Sequence, residues 1–393
     1  GKAPPLLVSV RSGAPVSMPG MMDTVLNLGL TLEGVEALAR ATGNPRFAWD
    51  SLRRLLAMYG EVVLGERPEV FEGMLSALKA ERGVGTDAAL GPEDLEELAY
   101  RYLRHLEARG TPFPLDPWAQ LQGAIEAVFK SWQNPRARTY RRIYGIPEDL
   151  GTAVVVQAMV FGNLGEDSGT GVGFTRNPAT GEKGLYGEYL RNAQGEDVVA
   201  GVRTPEPLER LKGYAPGLYE ELLQVAERLE RHFRDMQDFE FTVERGRLFL
   251  LQTRAGKRTA QAAVRIAVEM AEEGLISREE AVMRVEANAL PGLLRPSVDR
   301  DQAPRPLLKG LPASPGAAVG HAAFTNEAVE RFHAQGLPAV LVRPETTPED
   351  ITGMYLAKGI LTARGGLTSH AAVVARELGV PAVVGAVALR VFP

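Results

Sequence analysis

Apolar positions along the chain switch repeatedly between strand and helix spacing, and each switch predicts a new element. Leu6 to Val10 is a short apolar run expected as a strand, followed by RSGAPVSMPGMMD, a loop built of Gly, Pro and Ser. Helical spacing then recurs over 31–41, 46–64, 68–84, 92–108 and 115–132. The fourth stretch opens with Gly91-Pro92-Glu93-Asp94, a first-turn proline followed by acids that suit the helix dipole. Strand patterns return at Thr152 to Phe161 and Gly171 to Thr175, and residues 217–235 read as an amphipathic helix. Two alternating runs, Asp238 to Val243 and Leu248 to Thr253, flank Glu244-Arg245-Gly246 and predict a hairpin.

Beyond Arg258 the pattern predicts two helices over 259–292, the second opened by Ser277 with Glu280 three residues on, a capping box. RPSVDRDQAPRPLLKG, with its prolines and alternating charge, reads as a linker. From Leu311 onward Gly, Ala and Val alternate with short helical stretches, as in a compact α/β domain. The expectation is an α/β and α+β multidomain chain in three pieces: 1–256, a helical connector over 257–305, and 306–393.

Composition sharpens this. The 393 residues are 45% hydrophobic, enough for buried cores and incompatible with wholesale disorder. A net charge of −5 provides no general basic field for nucleic acid, and no apolar run approaches the ~18 residues of a membrane span. Zero cysteine removes thiolate nucleophiles and Cys-ligated zinc and suits a cytoplasmic location. The 42 glycines cluster, and the clusters carry the candidate chemistry.

GGLTSHAAVVARELGVPAVVG, Gly365 to Gly385, predicts a helix from His370 to Leu378, stopped by Gly379. Thr368 and Ser369 occupy the N-cap region, so His370 falls in the first turn, where backbone N–H groups and the dipole favour a phosphoryl group. An imidazole there can attack phosphorus; alternatively, it is simply a packed residue of a capped helix. In the hairpin, alternation puts Asp238 and Glu240 on one face and Phe239 and Phe241 on the other. With Glu244-Arg245-Gly246 as a three-residue turn, Glu240 opposes Leu250, Asp238 opposes Gln252, and Glu240 and Gln252 are diagonal neighbours. Two such oxygen donors can converge on a hard cation such as Mg²⁺, with Arg254 on the same face for phosphate; an ordinary solvated sheet surface is the competing reading. GEDSGTGVGFTRNPATGEKG, Gly165 to Gly184, is neither a P-loop nor a Rossmann turn. It could fold over a triphosphate with Ser168, Gly169, Thr170 and Gly171 at its tip, or be a plain hairpin loop. The cluster Arg136, Arg138, Arg141 and Arg142 reads as ion-paired surface, and Trp49, Trp118 and Trp132 as core.

These segments resemble the pyruvate phosphate dikinase family of phosphoenolpyruvate-utilising enzymes. GGLTSHAAVVAR is similar to its swivelling phosphohistidine domain, DMQDFEFTVERGRLFLLQTRAGKRT to the metal- and ATP-binding end of its ATP-grasp domain, and RSGAPVSMPGMMDTVLNLGL and NPRFAWDSLRR to other parts of the ATP site. The resemblance implies a partial ATP-grasp domain, a helical linker and a phosphohistidine domain. It implies His370 as phosphocarrier, Glu240 and Gln252 as Mg²⁺ ligands, and Asp238, Arg254, Arg11 and Arg54 near the nucleotide phosphates. Thr368 matches a regulatory phosphosite of some plant members. The implied parent reaction turns ATP, phosphate and pyruvate into AMP, diphosphate and phosphoenolpyruvate, in a homodimer. Family members are longer, so the chain is expected to be truncated at both ends, without the barrel that binds pyruvate and phosphoenolpyruvate. A phosphoenolpyruvate synthase-like phosphotransferase and a non-catalytic nucleotide- or partner-binding remnant are the competing functions.

Overall fold

Proline starts most of the N-terminal helices, because its fixed φ and missing N–H cost nothing in a first turn. The computed structural model describes residues 4–195, 197, 203–294, 303 and 305–392. The chain divides into two compact units, residues 1–160 and 161–393. In the first, strands β1 (Val8–Gly13), β2 (Thr24–Leu28) and β3 (Ala153–Ala158) form an antiparallel sheet in the order β2-β1-β3. Helices α1 (Leu32–Thr42), α2 (Pro45–Val62), α3 (Pro68–Arg82), α4 (Pro92–Ala108) and α5 (Pro117–Ser131) follow the predicted spacing closely. Asn44 caps α2 by accepting the Phe47 N–H at 3.0 Å, and Asp94 at the start of α4 accepts the Gly91 N–H at 3.0 Å. Phe47, Leu52, Leu55 and Tyr59 of α2 and Leu95, Leu98 and Tyr102 of α4 supply buried side chains.

Two expectations need correcting in this unit. The arginine cluster is ion-paired as expected, Arg136 with Asp23 and Arg141 with Glu148, but it belongs to a further helix, α6 (Pro135–Tyr144), and its Arg141 is fully buried instead of lying at the surface. Its guanidinium lies 3.9 Å over the Trp132 ring and pairs with Glu148 at 2.6 Å, so charge there is satisfied locally rather than by water. Trp118, expected in the core, is 77% exposed, whereas Trp132 is buried as predicted.

The second unit holds two five-stranded sheets. The first is antiparallel: β4 (Gly169–Arg176), β5 (Lys183–Arg191), β6 (Glu206–Pro207), β7 (Gln237–Glu244) and β8 (Arg247–Ala255) in the order β6-β5-β4-β7-β8. One face packs Tyr189, Phe239, Phe241 and Val243 against Leu222 and Ala226 of α7 (Pro216–Phe233). The other packs Val172 and Phe174 against Ala262, Ile266 and Met270 of α8 (Ala260–Glu272). Helix α9 (Arg278–Met283) has the predicted capping box, with Ser277 and Glu280 bonded reciprocally, but ends earlier than its periodicity suggested. The proline-rich linker lies largely outside the described residues.

The second sheet has the order β10-β11-β12-β13-β9, from β9 (Leu311–Ser314), β10 (His321–Ala323), β11 (Ala339–Arg343), β12 (Gly359–Thr362) and β13 (Ala382–Val384). Four strands are parallel, with β9 antiparallel at one edge. Helices α10 (Asn326–Ala334), α11 (Ile351–Leu356) and α12 (His370–Leu378) accompany it. His370 thus opens α12 as expected, and Gly379 ends it in the left-handed conformation with φ 62°.

Candidate functional site

The β7–β8 hairpin has a different turn from the one anticipated, and the difference improves the site. Glu244 pairs with Arg247 across the two-residue turn Arg245-Gly246, whose φ values of 48° and 78° are the left-handed pair such a turn requires. A register shift between Glu240 and Phe241 then restores phase, so Glu240 directly opposes Gln252 and Asp238 directly opposes Arg254. The expected diagonal arrangement is corrected to two facing pairs on one face. Arg254 donates to Asp238 at 2.9 Å and to Glu240 at 3.0 Å. Burial raises the Asp238 carboxyl above its ordinary range against the pull of Arg254. Burial opposes the charge of Arg254, but Asp238 and Glu240 outweigh it and hold the guanidinium protonated.

Glycines 169 and 171 are not the expected loop tip, while Gly173 lies in a strand as expected. Gly169, Thr170 and Gly171 lie inside β4, paired on one side with β5 and on the other with β7. Their backbone is committed to the ladder, which rules out a flap over a triphosphate. They are glycines because a Cβ at each would overlap an aromatic ring, Tyr189, Phe241 and Phe239 in turn. Ser168, fully buried, accepts the Arg245 N–H at 3.0 Å and so braces the hairpin turn.

The antiparallel register also aligns a row. Glu188 of β5 and Glu240 of β7 both oppose Val172 of β4, and Gln252 of β8 opposes Glu240. Directly opposed residues share a face, so Glu188, Glu240 and Gln252 project to one side, with Glu188 two strand spacings, about 10 Å, from Glu240. Glu188 is 3% exposed, and its carboxylate grips the loop before His370. It accepts the N–H groups of Leu367 and Thr368, the latter at 3.2 Å, and the Thr368 hydroxyl at 2.7 Å. Burial raises its carboxyl, although these three donors favour the charged form. Gly366 permits the approach, since a Cβ there would overlap the Glu188 carboxylate. The histidine-bearing loop is therefore docked on the sheet face that carries Glu240 and Gln252.

Around His370 the details depart from a simple capped helix. Ser369 is the N-cap residue but makes no side-chain cap; its hydroxyl donates to the Gly366 carbonyl at 2.7 Å. The imidazole is 7% exposed, and its Nδ1 lies 3.1 Å from the Thr346 hydroxyl. Arg376, one and a half turns along α12, donates to the Leu367 carbonyl at 2.8 Å and lies over the Phe174 ring of β4 at 5.7 Å. Burial pulls this guanidinium down to about 10, against Glu188 and Asp238. Lys257 pairs with Glu377 at 3.4 Å.

Arg11 and Arg54 belong to the other unit. Arg11, on β1, donates to the Gln157 amide oxygen at 2.9 Å. Arg54 donates to the buried Asp50 at 2.9 Å, and Asp50 also holds Arg53. Despite burial, the two guanidinium groups keep the Asp50 carboxyl far below its ordinary range. Among the described residues, no three His, Asp or Glu side chains converge as a closed metal cage. Mg²⁺ needs only one or two protein oxygens beside phosphate and water, and the facing carboxylate and amide of Glu240 and Gln252 fit that requirement. Sequence reasoning passed over Glu188, Thr346 and Arg376. A lone acid among the aromatic residues of GLYGEYL was the one available signal.

The family described as "Pyruvate phosphate dikinase, AMP/ATP-binding domain" matches residues 1–213 and 218–275, more than half of the chain. The chain belongs to the pyruvate phosphate dikinase family. The description "PEP-utilising enzyme, mobile domain" matches residues 337–392, which include the His370 loop. The chain is similar to the pyruvate, phosphate dikinase of Clostridium symbiosum, 57% identical over 385 residues, covering 97% of this chain and 44% of that protein. It is similar to that of Rhizobium meliloti (strain 1021), 56% identical over 400 residues, 98% of this chain and 44% of the relative. A chloroplastic relative from Arabidopsis thaliana is 55% identical over 390 residues, 98% of this chain and 40% of the relative. The chain thus spans less than half the length of the curated relatives it matches. No helix among the described residues is long and apolar enough to cross a membrane.

Proposed function

We propose that this chain is the nucleotide-binding and phosphohistidine portion of a pyruvate phosphate dikinase, in which ATP phosphorylates His370 as the first stage of making phosphoenolpyruvate from pyruvate. The observation that carries the reading is the docking of the His370 loop by Glu188 on the same sheet face as Glu240 and Gln252. A histidine held there needs only a polyphosphate laid along that face to be within reach of phosphorus.

In this reading the domains are an ATP-grasp portion at 1–256, a helical linker at 257–305 and the phosphohistidine domain at 306–393. Glu240 and Gln252 would hold Mg²⁺, which supplies neutralisation of phosphate charge when bound. Arg254, kept protonated by its two carboxylate neighbours, orients a phosphate oxygen, and Arg11 and Arg54 are further phosphate contacts. His370 attacks the β-phosphorus and retains a pyrophosphoryl group while AMP departs; inorganic phosphate then removes the terminal phosphoryl group. The phosphohistidine domain next carries its load to a barrel that binds pyruvate, which requires the Glu188 contact to open. A phosphate on Thr368 would set a dianion against Glu188, a direct route to regulation by undocking. A homodimer and a cytoplasmic location complete the reading.

The test is incubation of the chain with β-³²P-labelled ATP and Mg²⁺. Acid-labile label is expected on the parent chain and none on His370→Ala. Label that persists in His370→Ala would place the carrier elsewhere, and an unlabelled parent chain would contradict the reading.

A further inference from the structure

The carrier reading leaves open which imidazole nitrogen reacts and what holds the ring in the reactive form. Two loops at the C-terminal ends of adjacent parallel strands bear on this. The segment after β11 and the segment after β12 are zipped together: Ala363 donates its N–H to the Arg343 carbonyl at 3.1 Å, and Arg364 to that of Pro344 at 2.8 Å. Arg364 also pairs with Glu345 at 3.2 Å. Immediately beyond Thr346, Thr347 starts a short helical turn whose Asp350 accepts the Thr347 N–H at 2.9 Å. Thr346 is therefore fixed on both sides, is 4% exposed, and presents its hydroxyl to Nδ1 of His370 at 3.1 Å.

We propose that Thr346 is a positioning residue whose hydroxyl oxygen accepts the Nδ1–H of His370 and so fixes the neutral ring as the tautomer with its lone pair on Nε2. The inference rests on the carrier reading for its purpose but not for its geometry. In the transfer, the Nε2 lone pair forms the N–P bond while the P–O bond to AMP breaks and its electron pair leaves with AMP. Nδ1 keeps its proton throughout, so no base is needed. The ring gains positive character as the N–P bond forms, and the hydrogen bond from Nδ1–H to Thr346 strengthens with it. The opposite tautomer, with Thr346 donating to Nδ1, would carry its proton on Nε2 and could not attack.

The direct test is the ¹⁵N spectrum of the chain labelled at its histidines, with His370 identified by its loss in His370→Asn. The unphosphorylated parent chain is expected to show the Nδ1–H form, Thr346→Ser the same form, and Thr346→Val a mixture with Nε2–H. Label transfer from β-³²P ATP is expected to fall roughly ten- to hundredfold in Thr346→Val and to be retained in Thr346→Ser. An Nε2–H ring in the parent chain, or a spectrum unchanged in Thr346→Val, would overturn the proposal. Failure of the parent chain to take up label would instead count against the carrier reading, because the spectrum decides the tautomer without any phosphorylation.

Discussion

The two five-stranded sheets of the second unit present chemistry in different ways. The antiparallel sheet displays Glu188, Glu240 and Gln252 along its face, in a cross-strand row fixed by backbone register. The parallel sheet displays Thr346 and His370 at its strand ends, on loops held by hydrogen bonds between segments distant in sequence. A row on a sheet face cannot move without breaking the ladder. A loop at strand ends can be lifted away with its whole domain. In the proposed function the two kinds take complementary roles: the row is the fixed donor platform and the loop the detachable acceptor.

Three substitutions or conditions sharpen that contrast. The largest effect is expected in the platform. Gly173→Val puts a side chain into the buried Phe239 ring, and urea unfolding should register a loss of about 3 kcal/mol or more. A stability close to the parent's would mean that β4 does not need its glycines. Gly366→Ala should act quite differently. The atoms nearest its added Cβ are those of the Glu188 carboxylate, the far end of a side chain, so stability should stay within about 1 kcal/mol while the loop undocks. Limited proteolysis of the loop, faster in the variant, checks this.

The smallest effect concerns pH. Burial raises the Glu188 carboxyl in the docked state above its ordinary value of 4.5. A carboxyl raised on docking contributes fully below its undocked value and loses that contribution as pH rises through the docked value. Docking should therefore tighten at mildly acidic pH and relax as pH rises. The same proteolysis, repeated across a pH series with a protease of flat activity, should show increasing cleavage with pH; the opposite slope would contradict the burial of a costly charge.

Much of this was legible in the residues themselves. Period-two alternation placed Asp238 and Glu240 on one face because Phe239 and Phe241 must be buried on the other. The exact register was not legible, because Glu244-Arg245-Gly246 allows either a two- or a three-residue turn, and an arginine at φ 48° is an uncommon choice. A bulge further along the strand shifted the pairing again. Gly169 and Gly171 looked like a loop tip because their reason, the rings of Tyr189 and Phe241 on neighbouring strands, lies far away in sequence. Helix α6 was hidden by its arginines, since nothing local indicates that Arg141 stacks on Trp132. His370 stood out through its Gly-Gly-Leu-Thr-Ser lead-in, whereas Thr346, 24 residues earlier, gave no sign of its partner.

Glu188 is the link that anchors the histidine loop to the Glu240 face. The absence of cysteine allows spin labels to be attached through Arg228→Cys on α7 and Glu330→Cys on α10, both exposed positions. Pulsed electron resonance on the parent chain should give one narrow interlabel distance, and adding Glu188→Ala should broaden it. A distribution already broad in the parent chain, or one that Glu188→Ala leaves narrow, would contradict the anchoring.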